Sequence, residues 1–133
     1  MIERVQAKRV LLVDDDHAVR MMLGRVITLL GFDVTYAVNG KVALELYDSA
    51  DGDFDLLITD ICMPEMNGND LVCEIRKRDE RLPVIAITGF AESELIGQMK
   101  SYNVQLFEKP IDIKALRARI ELLQKTMDAV PLV

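Results

Sequence analysis

Three aliphatic runs, Val10-Leu11-Leu12-Val13, Leu56-Leu57-Ile58-Thr59 and Val84-Ile85-Ala86-Ile87-Thr88, constrain the fold more than any other feature of this chain. Each has the length of a strand, and none alternates apolar with polar residues. A strand with one face in water would alternate, so these three are expected to be covered by helices on both faces. Two further runs, Asp33 to Ala37 and Val104 to Phe107, are mixed in character and read as strands at the edges of the same sheet. With Arg9 to Val13, Asp55 to Thr59 and Val84 to Thr88 they make five expected strands.

Helix-period stretches separate the strands. Val19, Met22, Leu23, Val26, Ile27 and Leu30 recur at helical spacing before Gly31 closes the element. Ala43, Leu46, Tyr47 and Ala50 repeat the pattern after the helix entrance Asn39-Gly40, and Leu71, Val72 and Ile75 make a third helix that must stop before Pro83. A fourth is expected from Ala91 to Ser101, with Gly97 inside it, and a fifth opens at Asp112 and runs to about Met127. Strand-helix alternation of this kind implies an α/β domain, because a crossover helix is what lets successive strands run parallel. With runs two and five at the edges, the expected fold is a flavodoxin-like, doubly wound (βα)5 unit with a five-stranded parallel sheet in the order 2-1-3-4-5. Its ligand site lies at the carboxyl ends of strands one and three, where the winding reverses.

The residues that fall there are acids. Strand one ends in Asp14-Asp15-Asp16 and strand three in Asp60, while Thr88 ends strand four and Lys109 follows strand five on the same rim. Carboxylates gathered at one sheet edge repel one another unless a cation joins them. His17 is the only histidine and no cysteine set accompanies the acids, so the cation expected is Mg²⁺ or Mn²⁺ in an oxygen shell, not zinc. Magnesium in turn suggests phosphate. A carboxylate can attack a phosphoryl group and become an aspartyl phosphate where charge on the transferred oxygens is neutralised, and a hydroxyl and an ammonium would complete the cradle.

Composition excludes several other classes. The chain has 133 residues, which suits one domain, and a net charge of -6 leaves no basic face for nucleic acid. Its apolar runs are all too short to cross a bilayer. Cys62 and Cys73 have no zinc-site spacing, and no secretory leader is evident, so a reduced, cytoplasmic protein is expected.

Taken in order, Val10-Leu11-Leu12-Val13-Asp14-Asp15-Asp16 with Arg20, Leu57-Ile58-Thr59-Asp60-Ile61-Cys62-Met63-Pro64 with Gly68, Val84-Ile85-Ala86-Ile87-Thr88-Gly89, and Lys109-Pro110 resemble the receiver domain of two-component response regulators, over essentially the whole length. The resemblance implies a receiver over residues 9–127, with residues 1–8 as an N-terminal extension and 128–133 as a tail or truncated linker. It implies Asp60 as phosphoacceptor, Asp14 and Asp15 as metal-binding acids with Asp15 the direct ligand, and the Cys62 backbone carbonyl as a further metal ligand. Arg20 fixes that register, leaving Asp16 as an extra acid or the N-cap of the first helix. Thr88 resembles the family's switch hydroxyl and Lys109 the lysine that pairs with it, with a cis bond to Pro110. The implied partners are a sensor histidine kinase or a histidine phosphotransfer protein, a fused output domain or downstream protein, and a second copy through the helix at 91–101, strand five and the last helix.

Departures from the family pattern are as informative. Leu106, with Phe107 beside it, stands where many receivers carry an aromatic switch residue, and Cys62 and Phe90 occupy positions that often carry polar side chains acting on the hydrolytic water. Slow self-dephosphorylation is therefore expected. Three function classes follow: a phosphorylation-activated switch that catalyses only its own modification, a pseudo-receiver interaction module, and a small metal-dependent phosphatase. The complete acid, hydroxyl and ammonium set favours the first. Three secondary readings remain. His17 is read as surface in preference to a phosphoryl carrier, and Met63 and Met66 as loop filler in preference to a docking surface. Ile113, Leu116, Ile120, Leu123 and Met127 fit either a coiled-coil seam or the core face of one helix, and the need to cover strand five favours core.

Overall fold

The computed structural model describes residues 7–63, 66–89 and 101–128. Among the described residues nine elements follow one another: β1 (Arg9–Val13), α1 (His17–Leu29), β2 (Asp33–Ala37), α2 (Gly40–Ser49), β3 (Leu56–Asp60), α3 (Gly68–Arg78), β4 (Val84–Thr88), β5 (Gln105–Glu108) and α4 (Ile113–Asp128). The helix expected over 91–101 falls almost wholly outside the described residues. All strand pairs are parallel, and the order is β2-β1-β3-β4-β5, as the aliphatic runs require. Every residue of β3 and β4 is buried, whereas the mixed runs β2 and β5 form the edges.

Strand pleating divides the core into two layers. Leu11, Val13, Leu57 and Ala86 face α2 and α3, meeting Ala43, Tyr47, Leu71, Val72 and Ile75. Val10, Leu12, Ile58 and Ile85 face α1 and α4, meeting Leu23, Ile27, Leu116 and Ile120. Ile113, Leu123 and Met127 pack at the border of this second layer, so the heptad-like stripe of α4 is the core face of one helix. Met63 and Met66 pack against the first layer, in keeping with their reading as filler.

Local signals set the helix ends. Asp16 caps α1 by accepting from the Val19 amide, Asn39 caps α2 through Val42, and Asn67 caps α3 through Asp70. After α1, Gly31 takes φ 95°, the left-handed conformation in which glycine replaces a side chain at no steric cost. Arg76 of α3 ties the far end of the molecule together, donating to the carbonyls of Tyr102, Asp79 and Leu82 at 2.8, 3.1 and 2.8 Å. The strand boundaries differ from expectation by one residue at β3 and β5. Asp60 belongs to β3 because the ladder continues past it, the Ile61 amide donating to the Ile87 carbonyl. β5 is shifted to Gln105–Glu108 because pairing with β4, not composition, sets its ends.

Gly68 begins α3 hard against the end of β3. Its amide donates to the Ile61 carbonyl at 2.8 Å, and a Cβ there would lie 2.8 Å from the Ile61 Cα and closer still to the Asp60 carbonyl. Both obstacles are backbone, so no rotamer change relieves them. Gly68→Ala is expected to cost about 1–3 kcal/mol, read as a lower urea midpoint at unchanged slope; a midpoint equal to the parent's would show that the loop after β3 yields freely.

Candidate functional site

β1 and β3 lie side by side in register, Val13 opposite Thr59, so the residues that follow and end them, Asp14 and Asp60, meet at the carboxyl edge of the sheet. One oxygen from each of Asp14, Asp15 and Asp60 falls within 4.8 Å of the others. Asp14 and Asp60 are only 1% and 3% exposed, while Asp15 faces solvent. Thr88, at the end of β4, is buried too.

The backbone holds Asp14 closely. Its amide donates to the Ala37 carbonyl at 3.2 Å, and its Oδ1 accepts from the Asp16 amide at 2.8 Å. Its Oδ2 is buried without a hydrogen-bond partner. Burial pushes the Asp14 carboxyl above the usual range, and repulsion from Asp60 and Asp15 adds to this, against the Asp16 amide and the Lys109 charge, which lower it.

Asp60 has a partner on each oxygen. Oδ1 accepts from the Cys62 amide at 3.2 Å, and Lys109 Nζ stands 3.1 Å from Oδ2. Desolvation pulls the Lys109 ammonium down, but the hydrogen bond and charge of Asp60, with Asp14 and Asp15 behind it, outweigh burial and raise its pKa, so it stays protonated at neutral pH. The Lys109 amide donates to the Thr88 carbonyl at 2.8 Å, and the Lys109-Pro110 bond is cis. β4 and β5 thus deliver hydroxyl and ammonium to the same rim.

All the residues singled out from sequence at this edge, Asp14, Asp15, Asp60, Cys62, Thr88 and Lys109, are brought together there. Asp16 turns away to cap α1. Cys62 is exposed, and Phe90 lies outside the described residues. Leu106 packs into the α2–α3 layer and Phe107 into the α1–α4 layer, so the two side chains point to opposite faces of the sheet. A contact that the sequence did not reveal is made by Arg20, whose guanidinium donates to the Asp14 carbonyl at 2.7 Å and lies 3.2 Å from His17 Nδ1. Among the described residues, no helix is long and apolar enough to cross a membrane.

Comparison with known proteins agrees with the fold. A family model described as the response regulator receiver domain matches residues 10–121. The chain is 40% identical over 115 residues to the chemotaxis protein CheY of Thermotoga maritima, a match covering 82% of this chain and 94% of that protein. It is 37% identical over 114 residues to the regulatory protein AtoC of Escherichia coli, covering 85% of this chain and 24% of AtoC. A solved CheY-like response regulator receiver domain protein from Methanospirillum hungatei superposes with a TM-score of 0.84 at 26% identity, covering 92% of this chain and 98% of that one. Several of the curated relatives are far longer, and this chain spans a quarter or less of their length.

Because its folded pKa is raised, Asp14 weakens the cation-free fold above that pKa, and the penalty fades as falling pH protonates the carboxyl. Asp14→Asn is therefore expected to raise the melting temperature in chelator at pH 7 by about 3–5 °C, with the gain shrinking toward pH 4. A variant that melts below the parent at pH 7 would mean that the carboxylate is already compensated within the protein.

Proposed function

This chain belongs to the response regulator receiver domain family, and we propose that it works as a phosphorylation-activated switch with Asp60 as the phosphoacceptor. The observation that carries this reading is the buried Asp60 carboxylate held 3.1 Å from Lys109, beside Asp14 and Asp15. A sensor histidine kinase or a histidine phosphotransfer protein is the donor. An Asp60 oxygen attacks phosphorus, the bond from phosphorus to the imidazole nitrogen breaks, and the histidine keeps the electron pair and takes up a proton. Lys109 holds charge on the phosphoryl oxygens, and the Thr88 hydroxyl donates to one of them once the group has arrived. The protein catalyses only its own phosphorylation and dephosphorylation.

The acidic edge fits a hard divalent cation. Asp14 Oδ2 is a buried carboxylate oxygen with no donor, and oxygens of Asp15 and Asp60 lie close by, an all-carboxylate group among the described residues. Asp14, Asp15, Asp60 and the Cys62 carbonyl would hold Mg²⁺, or Mn²⁺ in its place, with Asp15 the more direct of the first two. The ion, when bound, neutralises charge on the oxygens being transferred.

Residues 9–127 form the receiver unit in this reading, with a cytoplasmic setting. The output is carried by a fused domain or by a downstream protein, as the greater length of AtoC suggests. β5 and α4, together with the helix expected from sequence over 91–101, are the candidate face for a second copy.

The test is intact mass after exposure to acetyl phosphate, with and without Mg²⁺. A Mg²⁺-dependent gain of one phosphoryl group, lost in Asp60→Asn, is expected. Silence toward both acetyl phosphate and a phosphorylated histidine donor would leave a pseudo-receiver, and repeated turnover of a phosphoester would instead mark a phosphatase. Cys62 and Phe90 stand two positions beyond the acceptor and the hydroxyl in sequence and offer little to orient an attacking water, so the phosphorylated protein should persist toward the long end of the family's range. Time-resolved loss of the phosphoryl mass checks this, and rapid loss would contradict it.

A further inference from the structure

We propose that Arg20 is a positioning residue for the cation-binding acids, acting as a clamp on the peptide that joins Asp14 to Asp15. The inference rests on the cation reading above and extends it to a residue outside the ligand set. Arg20 lies one turn into α1, and its Nη1 donates to the Asp14 carbonyl at 2.7 Å. That carbonyl belongs to the Asp14–Asp15 peptide. Fixing its plane fixes the Asp15 N–Cα bond, and with the Asp16 amide on the far side held by Asp14 Oδ1 at 2.8 Å, the direction in which the Asp15 Cα–Cβ bond leaves the backbone is restrained from both sides.

The clamp completes the restraint of Asp14. Its amide is engaged by Ala37, its Oδ1 by the Asp16 amide and its carbonyl by Arg20, while Oδ2 is buried with no hydrogen-bond partner. Asp15 is exposed, and the peptide that Arg20 holds sets its aim toward Asp14 and Asp60. The guanidinium is itself steadied, Nη2 lying 3.2 Å from His17 Nδ1, which accepts when that nitrogen carries no proton. A planar fork reaches two acceptors from one fixed orientation, which a lysine ammonium on a flexible stem does not reproduce. His17 thus acquires a role as a brace for Arg20.

Groups that orient metal ligands without touching the ion typically change metal affinity by about 10–100-fold when removed. The test measures Mn²⁺ affinity by electron paramagnetic resonance of the free ion, together with melting in chelator, for the parent, Asp15→Asn, Arg20→Met and Arg20→Lys. Arg20→Met is expected to bind Mn²⁺ about tenfold more weakly while its metal-free melting temperature moves by only a few degrees. Arg20→Lys, which keeps one donor for the Asp14 carbonyl, should lose less. Parent-like Mn²⁺ affinity in Arg20→Met, whatever its melting temperature, overturns the clamp and leaves Arg20 a purely structural contact. Should Arg20→Met fail to fold, Arg20→Lys decides, a weakened affinity supporting the clamp and a parent-like one refuting it. Asp15→Asn separates the two layers of the argument. If the parent binds no Mn²⁺, or Asp15→Asn binds as well as the parent, the cation reading itself falls and takes the clamp with it.

Discussion

Two buried carboxylates, Asp14 and Asp60, share one edge of the sheet with a third acid beside them, and one lysine within reach of Asp60 offsets only part of their charge. This unbalanced charge is the constraint from which the rest of the site follows. Like charges in a poorly solvated place favour proton uptake or a cation. The fold leaves them in that position because parallel pairing of β1 with β3 dictates which residues end side by side, and the α1 and α3 caps dictate where the chain turns away. A site under such tension stores a preference for whatever brings positive charge, and neutralising the acids also strengthens the fold. Ligand binding and stability are therefore coupled through the same oxygens.

Much of this was legible in the sequence because its causes are local. Uninterrupted aliphatic runs mark strands covered on both faces, mixed runs mark edges, and an acid at the end of a covered strand has only the sheet's rim to occupy. The caps at Asp16, Asn39 and Asn67 are equally local, each needing only a short side chain before a helical stripe. What the sequence did not disclose depends on backbone geometry in three dimensions. Arg20 reaches a carbonyl six residues back across the loop after β1, and Arg76 gathers carbonyls from the C-cap of α3, the turn before β4 and the turn before β5. Arginines that bond to carbonyls leave no periodic trace. The ends of β5 were misjudged by one residue for a related reason, since an edge strand of mixed composition takes its limits from the partner that pairs with it.

The layering of β5 also bears on how a change at Asp60 would travel under the proposed switch. Leu106 and Phe107 are adjacent, but pleating sends them into different layers, so the phenyl ring cannot stand in for an aromatic at the Leu106 position without crossing the sheet. A branched aliphatic side chain already packed on the α2–α3 layer has no polar tip to trade between solvent and interior. Among the described residues, a mechanical link runs through the backbone itself. Thr88 and Lys109 are joined by the Lys109 amide and the Thr88 carbonyl at 2.8 Å, so a hydroxyl drawn toward a phosphoryl group on Asp60 pulls on the same peptide that positions the ammonium. Displacement at the end of β4 would then be delivered to the end of β5, a half-buried edge strand whose register with β4 places the exposed Glu108 opposite Thr88. In this chain a signal would leave the site as a shift of strand ends, with Leu106 following the backbone and not leading it.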